Sequence, residues 1–142
     1  MPRNPTSREG VQIQPGRANR PIELAVRQPY FGMIANGTKT IEGRLDYSSL
    51  NRAAENGIIN FRRHQKEKEK DDRVIRCSID WVLRAADFET ALIEVEWRKA
   101  VPDADHFDKA LALYDRIYPA RRVQEIGGVV LIGFTKLAAI NA

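Results

Sequence analysis

Near its C-terminal end the chain runs through Gly127-Gly128-Val129-Val130-Leu131-Ile132-Gly133-Phe134 without one polar side chain. A strand of that composition has no solvent face, so it must lie inside the fold with packed layers on both sides. The run predicts a last strand over 129–137, opened by the glycine pair. It is far shorter than the roughly 20 apolar residues of a membrane span, so protein has to supply the burial and no membrane partner is expected. A chain of 142 residues is one domain's worth, long enough to bury a core without staples. The single Cys77 allows no internal disulfide and no multi-cysteine zinc site, and His64 and His106 cannot make a three-histidine one. No cofactor or metal is therefore expected. The lone thiol and the absence of an apolar stretch in MPRNPTSREG lead to the expectation of a cytoplasmic protein.

Residues 1–21, with Pro2, Pro5, Pro15 and Pro21 and no hydrophobic period, read as a disordered basic arm. The folded domain is expected over 22–142. Ile22–Arg27 alternates as a strand, and Pro29 opens a helix with an apolar stripe of Tyr30, Phe31, Ile34 and Ala35 that Asn36-Gly37 ends. Thr38–Leu45 reads as extended, Tyr47–Glu55 as a short helix or loop, and Ile58–Arg62 as a strand. The charge run HQKEKEKDDR over 64–73 reads as a solvated hairpin tip. Val74–Ala86 follows as one long strand, Phe88–Lys99 as a helix, and Ala104–Ile117 as a helix with Phe107, Leu111, Tyr114 and Ile117 on one stripe, stopped by Pro119. Short, mostly antiparallel strands with helices gathered in two places predict an α+β fold built on a small β-barrel. No Walker loop, G-x-G-x-x-G or G-x-S-x-G is present.

Net charge is +4, unevenly spread: +3 over 1–20, +3 over 21–84 and −2 over 85–142. A basic first two thirds suits a polyanionic partner. Within it, Gly37-Thr38-Lys39-Thr40-Ile41-Glu42-Gly43-Arg44 carries the strongest signal. The glycine supplies a left-handed turn into a strand, and Glu42 and Arg44, two apart, project from one face. Lys39 has the opposite parity but sits at the turn, where it can lean toward them. On an open surface, Glu42 and Arg44 would be an ion pair worth under about 1 kcal/mol. In a cleft, Lys39 and Arg44 would hold a phosphate or base while Glu42 accepts a base N–H or orients Arg44.

The pattern G-x-K-x-x-E-x-R after a strand and an apolar helix resembles the signature of the ASCH (activating-signal-cointegrator homology) family in the PUA-like superfamily. The likeness extends over LAVRQPYFGMIANGTKTIEGRL (24–45), NGIINF (56–61, without the family's usual Gly-Asp), WRKAVPDADHFDKALALYDRIYP (97–119) and GGVVLIGF (127–134), about 22–137 in all. The resemblance implies a PUA-like β-barrel flanked by helices and a cleft that binds RNA or a nucleotide-like ligand, with a role in RNA metabolism or regulation. Lys39, Glu42 and Arg44 are the positions it carries over. Arg62 and Arg63 on the neighbouring strand, Trp97 and Arg121 join them as candidate ligand contacts.

The alternative is a small metal-independent hydrolase. Some ASCH relatives resemble amidohydrolases acting on N4-acetylcytidine, with a threonine nucleophile where this chain has Glu42. Thr38 or Thr40 would then have to serve, with Glu94 or Glu96 as acid. Ribonuclease chemistry would need only a base, an acid and a cation around one phosphate, a set Lys39, Glu42, Arg44 and Tyr47 could form. A third reading is a protein-interaction adaptor using the acidic 85–142 half. Tyr30 and Trp81 read as packing residues before base-stacking ones, Tyr118 as packing the last helix on the barrel, and Cys77 as a small buried hydrophobe.

Overall fold

The computed structural model describes residues 20–64 and 73–138. Residues 1–19 of the expected N-terminal arm and most of the 64–73 charge run lie outside the described residues. Five strands form one sheet: β1 (Ile22–Val26), β2 (Ile41–Leu45), β3 (Ile58–Arg63), β4 (Val74–Ala85) and β5 (Val129–Lys136), in spatial order β1-β3-β4-β5-β2. Three pairings are antiparallel, and β1 runs parallel to β3. Helices α1 (Tyr30–Ala35), α2 (Phe88–Ile93), α3 (Phe107–Ile117) and α4 (Ala120–Ile126) flank the sheet, with 3₁₀ turns at Ser48–Leu50 and Trp97–Lys99. The expected α+β class is what forms, as a curled half-barrel.

Strand β5 lies between two cores, as its composition requires. Val130, Ile132 and Phe134 face one core with Ile22, Val26, Phe31, Ile34, Ile59 and Phe61. Val129 and Leu131 face the other with Ile41, Leu45, Phe88, Leu92 and Tyr114. Residues 129–134 are all buried. The long β4 serves both cores by changing register between Ile79 and Trp81. An extra residue of this kind sharpens strand twist and bend. Asp80, left over at the irregularity, accepts a hydrogen bond from the Thr135 hydroxyl at 2.6 Å.

The helices differ from the sequence expectation at three points, the simplest being that α3 starts at Phe107 and not at Ala104. The expected Phe88–Lys99 helix stops at Ile93, and a 3₁₀ turn follows at Trp97. Trp97 is nine residues after Phe88, half a revolution round an α-helix from the buried side. Breaking the helix instead lets Trp97 meet Phe107 edge-on at 6.1 Å. Pro119 ends α3 as expected, but it also starts α4, because its carbonyl accepts from the Arg122 and Val123 amides. That helix has one buried residue, Val123, and so no hydrophobic period to read. Gly127, at φ +104°, closes it in the left-handed conformation. Cys77 is buried, and burial lifts its thiol to about 12, consistent with a small hydrophobe.

A flat five-strand sheet would hold its edges about 19 Å apart. Here an Arg44 Nη2 on edge strand β2 donates to the Ala25 carbonyl on edge strand β1 at 2.7 Å, so the sheet curls until its edges face each other across a gap. Close approach of β4 to β5 assists the curl: a Cβ on Gly133 would fall 2.1 Å from the Trp81 indole. Gly133→Ala is expected to cost about 1–3 kcal/mol by displacing that ring. Urea unfolding together with Trp81 near-ultraviolet dichroism checks it; unchanged values for both would show the contact to be dispensable.

Candidate functional site

The gap between the two edge strands is the candidate site. Helix α1 ends at Asn36; Gly37 at φ +88° reverses the chain, and the Thr38 and Lys39 amides both donate to the Met33 carbonyl. This turn points the Lys39 side chain into the interior despite its strand parity. Lys39 is 3 % exposed and Glu42 7 %. The ammonium donates to the carbonyls of Ile41 at 2.7 Å and Ala100 at 2.6 Å and lies 3.3 Å from Glu42 Oε1. Three protons meet three acceptors, so Lys39 is saturated. Glu42 Oε2 accepts from Arg44 Nε at 2.6 Å. Arg44 then reaches Ala25 through Nη2, and among the described residues its Nη1 has no acceptor.

Burial alone would raise the Glu42 carboxyl, but Lys39 and Arg44 outweigh it and hold the group below the ordinary carboxylate range. Burial drives the Lys39 ammonium below its ordinary value more than Glu42 restores it. The triad carries a net charge of +1.

Above it opens a cavity of ≈ 370 Å³, within the range of small-ligand sites. Its walls are Ala25, Val26, Arg27 and Gln28 from the end of β1, Tyr30 from α1, His64 just past β3, and Leu113, Tyr114, Ile117 and Tyr118 from the end of α3. Gly43 completes the floor; a Cβ there would meet Tyr114 Cε1 at 2.8 Å, so the motif's glycine lets the Tyr114 ring lie on β2. Tyr114 and Tyr118 both stack on Phe88, with ring centroids 4.6 and 5.5 Å away. Tyr30 places its ring 5.6 Å from the Lys39 ammonium and donates to Asp103 at 3.0 Å. Burial, and then Asp103, raises the Tyr30 phenol to about 12. Burial also raises Tyr114 and Tyr118, with Glu42 adding to it in both. All three remain neutral phenols at physiological pH.

The structure thus brings Lys39, Glu42 and Arg44 together and puts the other candidates elsewhere. Tyr47 does not line the cavity; its hydroxyl accepts from Arg122 Nη2 at 3.0 Å. Arg62 is on the outer face, paired with Glu23 at 3.0 Å. Arg63 is half-buried opposite Val26 and is not part of the cavity wall. Trp97 packs on Phe107 under the Arg98 guanidinium, 4.3 Å from its ring. Arg121 lies on α4, 89 % exposed, beside Glu125. Thr38 Oγ1 is engaged with Asn36 and Met33 in the turn, and neither Thr40, Glu94 nor Glu96 lines the cavity. Tyr114 and Tyr118, packing residues by their place on the α3 stripe, also line the cavity, and at the end of that stripe Ile117 is 53 % exposed, so the stripe outruns the core.

A curled α+β half-barrel with an ion triad buried between its sheet edges is the class of protein these features define. A family model described as "ASCH domain" matches residues 24–138. The chain belongs to the ASCH domain family. Two solved structures share the fold: the crystal structure of hypothetical protein PH0355, at TM-score 0.66 and 22% identity over 81% of this chain and 97% of that one; and the solution NMR structure of protein PF0455 from Pyrococcus furiosus, at 0.60 and 19% over 83% and 98%. No curated protein matches significantly. Among the described residues no helix is long and apolar enough to cross a membrane, and no cluster of three metal-ligating side chains occurs.

Removing one member of a buried pair strands its partner, at about 3–5 kcal/mol. Glu42→Gln should lose that much stability at pH 7. Because folding lowers the Glu42 pKa, its contribution is complete above the unfolded value of about 4.3 and disappears as pH falls through the folded one. Urea unfolding of both proteins from pH 7 to pH 2 should therefore show the gap closing in acid. A gap independent of pH would refute the assignment.

Proposed function

We propose that this protein binds single-stranded RNA or a nucleotide-like ligand in the cavity between its sheet edges. The observation that carries the reading is Arg44: a guanidinium fixed by Glu42 and Ala25, with Nη1 unspent, at the floor of a cavity walled by three tyrosines. A planar base suits aromatic walls, and a fixed guanidinium suits a base edge or a phosphate. At the mouth stand Arg27, without a partner among the described residues, and His64. They give a backbone phosphate somewhere to rest. The basic 21–84 segment that holds the motif adds a favourable long-range field.

Hydrolysis is less well supplied than binding. Among the described residues no serine, threonine or cysteine lines the cavity, both Glu42 oxygens are held by cations, and the phenols are pushed away from ionisation. His64 is the remaining candidate base.

The test is calorimetric titration with short single-stranded RNA at several salt concentrations, with gel analysis of the recovered RNA. Wild type should bind with affinity falling as salt rises, about 0.7 in the log–log slope per phosphate contacted, and return the RNA intact. Arg44→Lys, which keeps charge but loses the fork, should weaken binding at least about tenfold while circular dichroism stays unchanged. Absence of binding at low salt would overturn the reading, and shortened RNA would replace it with the hydrolytic one.

A further inference from the structure

Which base the cavity takes follows from what is left to bond with on its floor. The fixed acceptors there are the carbonyls of Ile41, Ala100 and Ala25 and the two Glu42 oxygens. Each already receives a proton from, or is paired with, Lys39 or Arg44. A ligand N–H brought to any of them would also be brought against a cation. The unspent groups are donors. Arg44 Nη1 is one. The Tyr114 hydroxyl on the cavity wall is another, since among the described residues no acceptor takes its proton. A third is the Ala25 amide: the His64 N–H bonds to the Val26 carbonyl, so strand alternation turns the Ala25 peptide groups away from β3 and toward the gap.

We propose that the cavity selects nucleobases whose buried edge, the C4–C5 side of a pyrimidine or the C6–N7 side of a purine, carries an oxo group, as in uracil or a 6-oxopurine, over cytosine and adenine, which present an exocyclic amino group at the same position. The inference rests on the nucleotide-binding reading above and adds the identity of the base. The chemistry is that of a guanidinium donating to a carbonyl oxygen and, in a purine, also to N7. An amino group in that place adds a donor facing donors, and leaves Arg44 Nη1 desolvated without an acceptor, which is the more costly fault. The raised phenol pKa values agree, since neutral phenols keep their protons to donate.

Two matched pairs test it by calorimetry at one low salt concentration: hexauridine against hexacytidine, and inosine against adenosine 5′-monophosphate. Hypoxanthine and adenine differ in the oxo-for-amino exchange and the accompanying N1 proton, so the second pair isolates the edge. The oxo member should bind at least about tenfold tighter in both pairs. Tyr114→Phe, which removes the hydroxyl donor and keeps the ring, should lower hexauridine affinity about threefold and leave hexacytidine unchanged. Equal binding within both pairs, or a preference for the amino member, would overturn the selectivity while leaving the RNA-binding reading in place. No binding by any of the four ligands would remove that reading and the selectivity with it.

Discussion

The structure depends on a chain of hydrogen bonds across the open side of its sheet. It runs from the Ala100 carbonyl through Lys39 to Glu42, from Glu42 to Arg44, and from Arg44 to the Ala25 carbonyl on the opposite edge. β1 and β2 are the two edges, and no backbone ladder joins them. The triad does the work of that ladder with side chains. A side-chain closure leaves room that a ladder would fill, and the cavity is that room.

Stability alone does not account for such a triad. Three charges taken out of water lose hydration that their mutual attraction roughly repays, and a well-packed apolar replacement is often as stable. What charges provide and apolar groups do not is a defined orientation. Lys39 has no rotational choice left once its three protons are committed, so Glu42 is held from one side and can hold Arg44 from the other. The guanidinium is then presented with one nitrogen at a set position and angle. Binding sites gain from donors whose ordering cost has been met during folding. On the proposed reading, Lys39 and Glu42 are positioning residues and Arg44 is the member turned toward the ligand.

Much of this was legible in the sequence, for identifiable reasons. The β5 run announced a strand buried on both faces because composition is a direct record of burial. The turn glycine and the spacing of Lys39, Glu42 and Arg44 were legible because parity and turn geometry are local. The cavity walls were not. Tyr114, Ile117 and Tyr118 belong to an apolar helical stripe, and such a stripe looks the same whether it ends in core or over a void. Helix α4 escaped because Pro119 reads as a terminator and the seven residues after it bury Val123 alone. Arg62, Arg121 and Trp97 looked like binding residues by type and neighbourhood in sequence; strand parity put Arg62 on the outer face, and α4 and the 3₁₀ turn carried the other two away from the gap.

The position of the site also follows from chain order. The first two strands in sequence become the two edges, so the short α1 and the turn after it have to connect opposite sides of the sheet. Any residue at that connection lies over the gap by topology, before packing is considered. Tyr30 heads the helix, Arg27 and Gln28 precede it and Lys39 follows it, and all four line the cavity. A charged residue at the end of a connection elsewhere in this fold would face water and pair weakly. At this one it is drawn into the interior, where a pairing is worth more and an unpaired proton costs more. The same four-atom ammonium stem that would be surface decoration after any other helix here joins the Thr40 amide, which bonds the Lys99 carbonyl, in fastening the 97–100 loop to the edge of the half-barrel.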